Sequence, residues 1–396
     1  MMPGPLDGVR VIDLTTVVSG PYCTMILGDQ GADVIKIERP DGGDQTRRAG
    51  RTSGGVTASF VNNNRNKRSV AVDLKAPEGA EIARRLAASA DVVAHNFRPG
   101  VMERLGLGAA DLTAANPRLI FLEITGFGDT GPLAHKPAYD PILQAVSGMA
   151  TIQAASDTQR PRMVRALLPD KLAALNGAQA ISAALYARER TGRGQVIKLS
   201  MFDAMFSFLW TGEMGGHTFL ENEAEGPEGM SPFDLIYETQ DGYICVATVA
   251  SHQFFSFAKA VGREDWITDP RYATSAAREE NRTERLSDMQ AALLTNTTAH
   301  WAGVLDGADV PCIPVLTRRE AVHHPHVAAA GAVEIYEHPE AGPVRQARPA
   351  AQFSETPAGI RRPAPRLGEH TDEVLGEAGY SVDEIAGLRA TGVLPD

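Results

Sequence analysis

The sequence predicts an α/β protein built on a parallel, doubly wound sheet, and three observations carry that expectation. Short apolar runs rich in β-branched residues alternate with helical segments through the first half of the chain. The first three elements already form a strand–helix–strand unit. The chain has 396 residues, 43% of them hydrophobic and 22% charged, which is enough to build a large core and more than one domain.

The elements follow in order. Val9–Leu14, VRVIDL, reads as the first strand. The segment GPYCTMILGDQGA has Pro21 early and Gly31 late, the punctuation of a short helix. Asp33–Arg39, DVIKIER, is the next strand, and RSVAVDL, ADVVAHNF and RLIFLEIT supply three more. Helices over Pro77–Ser89 and Pro99–Leu105 lie between them. A long helix follows from LPDKLAALNGAQAISAALYARER, with Asp170 at its start and TGRGQ at its end, and VIKLSMFDAMFSFLW adds a strand and a helix. From about Gly215 the texture changes: ENEAEGPEGMSP is acidic and loop-like, and LIYETQDGYICVAT reads as a β-hairpin turning at Asp241-Gly242. Helices are expected around Gln253–Val261 and Arg282–Thr295. Residues 1–214 therefore read as the first part of a large domain and residues 229–326 as a smaller α+β domain. Residues 340–396 form a Pro-rich tail with a final amphipathic helix.

Several function classes are disfavoured. A formal net charge of −11 argues against nucleic acid or an anionic membrane as partner. No apolar run reaches the length of a membrane span, and MMPGPLDG has neither the basic nor the apolar region of a signal peptide, so the expected location is the cytoplasm. Cys23, Cys245 and Cys312 are far apart and predict neither a disulfide framework nor a metal site. HHPH, with His323, His324 and His326, reads as a surface loop. The first strand–helix turn, TTVVSGP, lacks the glycine fingerprint of dinucleotide binding, and no GxSxG occurs.

Two features point to chemistry. Asp170 follows Pro169 at a helix start, where an aspartate commonly caps the free backbone N–H groups. The same position favours the carboxylate form, and a carboxylate can act as a nucleophile. Basic residues also gather near strand ends: Arg39, the Arg65, Lys67 and Arg68 group, Lys75, Arg98 and Arg104. Arg39, Lys75 and Arg98 fall where ligands bind in open α/β sheets, outside the carboxyl ends of strands, which suggests a phosphate-bearing ligand.

The residues themselves go further. PLDGVRVIDLTTVVSGPYCTMILGDQGADVIKIERPDGGD resembles the opening of the class III CoA-transferases, the group of formyl-CoA and carnitine CoA-transferases. NKRSVAVDLKAPEG, DVVAHNFRPGVMERLG, RLIFLEITGFGDTGP, PAYDPILQAVSGMA, ALYARERTGRGQVIKLSMFDAM, DVPCIPV and PRLGEHTDEVL resemble the family as well, in order along nearly the whole chain. The resemblance implies a Rossmann-like large domain built from both chain ends, an inserted smaller α+β domain, and two such open rings interlocked as a homodimer. It implies that Asp170 is the nucleophile, forming an acyl anhydride and then an aspartyl-CoA thioester. The substrates it implies are acyl-CoA and a small carboxylic acid, by family analogy a dicarboxylate, with coenzyme A passing through as substrate and no permanently bound cofactor or metal.

Coenzyme A contacts carry over from the same resemblance. They are Val17 and Val18 after the first strand, Arg39 after the second, Val72, Asp73, Leu74 and Lys75 beside the adenine, and Asn96, Phe97 and Arg98 after the fourth strand. Arg104 matches a phosphate contact, and Ala138, Tyr139 and Asp140 match the stretch near the pantetheine. Two departures stand out. Val18 replaces a glutamine of formyl-CoA transferase, and EAEGPEGMSP carries only Gly226 and Gly229 where that enzyme has a glycine-run loop over its active site. The competing readings are 2-methylacyl-CoA racemase, whose histidine base would stand where Tyr139 does, and a CoA-binding protein without catalysis.

Overall fold

A computed structural model describes residues 2–154, 158–224 and 235–395. The chain divides into two compact units: Met1–Gln153 with Arg162–Ala224 and Gly331–Asp396, and Ala154–Pro161 with Glu225–Ala330.

The first unit is organised by a six-stranded sheet. Its strands are β1 (Arg10–Asp13), β2 (Asp33–Glu38), β3 (Lys67–Ala71), β4 (Val92–His95), β5 (Ile120–Thr125) and β6 (Val196–Ser200). They lie in the order β3-β2-β1-β4-β5-β6, and every neighbouring pair is parallel. This is the doubly wound Rossmann order, whose direction of winding reverses between β1 and β4.

A parallel sheet of this kind is covered on both faces, and the two-residue period of a strand divides its side chains between them. Ile12, Ile35, Val70, Val93 and Phe121 face one core with Ile82 and Leu86 of α2 (Pro77–Ala88). Val374, Leu375 and Ile385 close that core from two C-terminal helices, Thr371–Glu377 and Val382–Ala390. Val11, Val34, Val92, Ile120 and Leu122 face the opposite core with α1 (Ser19–Asp29).

The long helix, α4 (Leu168–Thr191), packs into this second core through Ala173, Ala174, Ala178 and Ile181. Its approach is close: a Cβ on Gly177 would stand 3.0 Å from the Cys23 sulfur and 3.3 Å from Leu122. A short helix, α3 (Asp140–Val146), precedes α4, and α5 (Met201–Trp210) follows β6.

The second unit holds a three-stranded antiparallel sheet with the strand Tyr243–Val246 between Ile236–Glu238 and Cys312–Pro314. Phe254, Phe257, Trp266, Tyr272 and Leu305 are fully buried against it. The hairpin places Asp241-Gly242 in its connecting loop, between the paired Glu238 and Tyr243.

Four local expectations need correction. β3 starts earlier and stops sooner than RSVAVDL suggests, so Val72–Lys75 follow the strand rather than extend it. The helix expected over Pro99–Leu105 is one turn, Val101–Arg104. HHPH is no loop: two short helices, Arg318–His323 and Pro325–Ala329, meet at His324, whose Nδ1 accepts the His326 N–H at 3.2 Å. Asp170 does not cap α4; Leu167 holds the cap position without a side-chain hydrogen bond, and Asp170 is the third helical residue.

Candidate active site

The winding reversal between β1 and β4 leaves a crevice beyond their carboxyl ends. A cavity of about 430 Å³ occupies it, with Asp170 in its wall. Three strand ends supply much of the lining: Thr16, Val17 and Ser19 after β1, Asn96, Phe97 and Arg98 after β4, and Thr125 and Gly126 at the end of β5.

Asn96 ties the first two loops together. Its Oδ1 accepts the Thr16 N–H at 2.8 Å and its Nδ2 donates to the Thr16 carbonyl at 2.7 Å. One side chain thereby satisfies both backbone groups of a residue that no ladder can reach. Val17, next in line, has φ +74°, a left-handed conformation that is costly for a β-branched residue. Its N–H is held by the Asp44 carboxylate at 3.2 Å, and Asp44 is in turn paired with Lys36 at 3.2 Å, both side chains fully buried.

The remaining wall comes from residues 134–140, which lie hard against the sheet edge. A Cβ on Gly126 would stand 2.2 Å from that of Ala138, so only glycine permits this approach. His135 and Lys136 line the crevice from this segment, and Arg98 from the β4 loop.

The acidic groups are two. Asp170 and Asp140 are 9% and 3% exposed. The Asp170 N–H approaches Asp140 Oδ2 at 3.5 Å, and Gln144 Nε2 donates to Asp140 Oδ1 at 2.6 Å. Burial pushes the Asp170 carboxyl up to about 6, the Asp140 charge adds to the rise, and hydrogen bonds from the Ser19 backbone and hydroxyl oppose it. Burial also raises Asp140, against the hydrogen bond from Gln144. A buried carboxylate with a raised proton affinity is a stronger nucleophile than a free one, and it remains largely ionised at neutral pH.

The crevice gathers Val17, Asn96, Phe97, Arg98, Ala138, Tyr139, Asp140 and Asp170. Val18, Arg39, Val72, Asp73, Leu74, Lys75 and Arg104 are not in its lining. Val18 instead caps α1, its carbonyl accepting the Tyr22 N–H at 2.8 Å, and Val72 is fully buried in the core. Arg39 and Arg104 are exposed, as is Lys75. The cluster of Arg65, Lys67 and Arg68, grouped by sequence with possible phosphate grips, is committed internally. Arg65 pairs with Asp29 at 2.8 Å, Lys67 with Asp13 at 2.8 Å, and Arg68 with Asp33 at 2.6 Å. Gly226 and Gly229 lie outside the described residues.

Sequence reasoning did not single out Ser19, His135 or Lys136. The signal available for the last two was their place immediately before the PAYD stretch.

Relatives at 33–39% identity match from 82% to 99% of this chain. Human succinyl-CoA:glutarate CoA-transferase is 33% identical over 98% of this chain and 90% of its own length. Succinyl-CoA–D-citramalate CoA-transferase of Chloroflexus aurantiacus is 35% identical over 99% and 98%. Acetyl-CoA:oxalate CoA-transferase of Acetobacter aceti is 39% identical over 82% and 84%. Among solved structures, a CAIB/BAIF family protein from Brucella suis matches with a TM-score of 0.83 and 31% identity, covering 95% of this chain and all of that one. The family model described as CoA-transferase family III matches residues 6–371, and the chain belongs to that family.

Proposed function

We propose that this CoA-transferase moves CoA from an acyl-CoA donor to a small carboxylic acid through covalent intermediates on Asp170. The observation that carries the reading is the placement of one buried, basic carboxylate in a crevice at the winding reversal of the sheet.

The chemistry balances on acyl transfer alone. The Asp170 carboxylate adds to the thioester carbonyl of the donor, and collapse of the tetrahedral adduct expels CoA thiolate and leaves a mixed aspartyl anhydride. The thiolate then attacks the aspartyl carbonyl of that anhydride, releasing the donor acid as a carboxylate and leaving an aspartyl-CoA thioester. The acceptor carboxylate attacks this thioester, giving a second anhydride and free thiolate. Attack of the thiolate on the acceptor's acyl carbon yields acceptor acyl-CoA and returns Asp170 as a carboxylate. Each step exchanges one activated carbonyl for another, so no net proton is consumed. The Ser19 N–H and hydroxyl, already directed at Asp170, are donors suited to the oxyanions that form there.

Arg98 and Lys136 give the crevice a positive lining inside an acidic protein, with the His135 ring beside them. That favours anionic substrates: the phosphates of CoA and an acid with a second carboxylate, as in the oxalate and glutarate named for two relatives. Arg39, Leu74, Lys75 and Arg104 would then meet the outer part of an extended CoA, while Val72, fully buried, packs beneath them. We place the enzyme in the cytoplasm as a homodimer of interlocked rings, each with the second unit inserted into the first. Among the described residues, no helix is long and apolar enough to cross a membrane.

The test is mass spectrometry of the protein quenched with hydroxylamine or borohydride after addition of succinyl-CoA or acetyl-CoA. Modification at Asp170 is expected. An unmodified Asp170 during turnover, or a modification elsewhere, would overturn the assignment.

A further inference from the structure

Helix α4 begins without a cap of its own. Leu167 occupies the cap position and has no side-chain oxygen to offer, and Pro169 removes one N–H from the first turn. The N–H of Asp170 is met instead by Asp140, thirty residues away in sequence, at the start of α3. Asp140 is fixed in turn. Gln144, one turn later on α3 and 1% exposed, donates to its other carboxylate oxygen at 2.6 Å. The same Gln144 binds the strand of chain leading into α4, accepting the Val164 N–H at 2.9 Å and donating to the Val164 carbonyl at 3.2 Å.

We propose that Asp140 is a positioning residue for Asp170: held by Gln144, its carboxylate caps the catalytic helix from a separate element and keeps a second negative charge beside the nucleophile. The inference rests on Asp170 being that nucleophile. An aspartate at the third position of a helix would ordinarily turn back to satisfy the helix's own N–H groups. With that duty taken over by Asp140, the Asp170 side chain is free to face the crevice. The like charge next to it makes its carboxylate harder to keep ionised and therefore more reactive.

Other charged and titratable groups face the pair. Arg98, His135, Lys136 and Tyr139 line the same crevice, Lys171 follows Asp170 on α4 and acts on Asp140, and Ser19 donates from α1. The test must therefore separate Asp140 from this background. Asp140→Asn keeps an oxygen for the Asp170 N–H while removing the charge; Asp140→Ala removes both. The readout is the acid limb of the pH profile of kcat, with acyl-CoA KM and the covalent adduct measured alongside.

In Asp140→Asn the limb is expected to move from about pH 6 toward the ordinary carboxylate range. kcat at pH 8 should fall about three- to tenfold with KM little changed. In Asp140→Ala the same shift should come with a drop in kcat of about a hundredfold, as the first turn loses its cap. A limb that stays in place in both variants, with any loss traced to less folded protein, would overturn the proposal. The wild-type adduct distinguishes the two levels. If Asp170 carries the adduct but the limb does not move, only the role of Asp140 fails; if Asp170 carries none, the nucleophile assignment fails and this inference with it.

Discussion

Two of the sets of buried charge within the first unit are wired in opposite ways. Beneath β1, Asp13 is fully buried yet receives hydrogen bonds from Lys67 Nζ at 2.8 Å, Thr24 Oγ1 at 2.7 Å and the Thr15 N–H at 2.9 Å. Burial alone would raise its carboxyl, but the Lys67 and Lys36 charges overcome it and hold the group well below the usual carboxylate range. Lys67 shows the matching strain, lowered to about 8 by burial despite the Asp13 charge beside it. Lys36 continues the network to Asp44, and Glu38 pairs with Arg47 at 2.7 Å. In the crevice, Asp170 is also buried, but its charged neighbour is another carboxylate, and it rises to about 6. Burial raises both carboxyls; at Asp13 two lysines overcome it, and at Asp170 no cation does while a second carboxylate adds to it. A compensated carboxylate is scaffold, and an uncompensated one is available for chemistry.

The contrast is broken most severely at Asp170 and at the lysine that compensates Asp13. Asp170→Asn should abolish CoA transfer by at least about a thousandfold in steady-state assays, because an amide cannot form the anhydride. Lys67→Met should act on folding instead. It leaves Asp13 as a buried charge short of its main partner, and urea titration should show a loss of about 3–5 kcal/mol.

A subtler asymmetry concerns pH. The raised Asp170 carboxyl favours the folded state while it is protonated. That contribution is fully present below about pH 4, the unfolded value, and is lost as pH rises to about 6. The inactive Asp170→Asn variant should therefore match the wild type at pH 4 and exceed it by up to about 3 kcal/mol at pH 8, read from denaturant midpoints at both values. Equal stability at pH 8 would mean that the charge is compensated after all.

The smallest expected effect is at Val17. Its left-handed backbone is held by the same network that compensates Asp13. Val17→Gly should relieve the strain at the expense of a freer unfolded chain, leaving thermal stability within about 1 kcal/mol of wild type.

The division between legible and hidden features follows the range of the interactions. Strands β1, β2, β4 and β5 announce themselves because each is an apolar run between turn residues, and both faces of a parallel sheet demand such runs. Arg98 is also within reach, since strand ends locate the ligand edge of an open sheet, whereas Val17, Asn96 and Phe97 enter only through the family resemblance. Asp170 reads as a cap as well as a nucleophile because Pro-Asp before an apolar stretch is a strong local signal; the cap half fails because the group that meets its N–H arrives from Asp140 on another helix. Arg65, Lys67 and Arg68 read only as basic residues near a strand end for the same reason: Asp29, Asp13 and Asp33, which claim them, come from other elements. His135 and Lys136 belong to no periodic element, and their one sequence signal is their place just before the PAYD stretch that reaches the cavity.

The two-way grip of Asn96 on Thr16 sets the separation of the β1 and β4 loops from within the protein, before any substrate arrives. The gap between those lips is thus a constant of the scaffold rather than a property that ligands adjust. Adjustment to ligands of different size is then left to the exposed side chains of His135, Lys136 and Tyr139 across the crevice, which can change without unlocking the sheet.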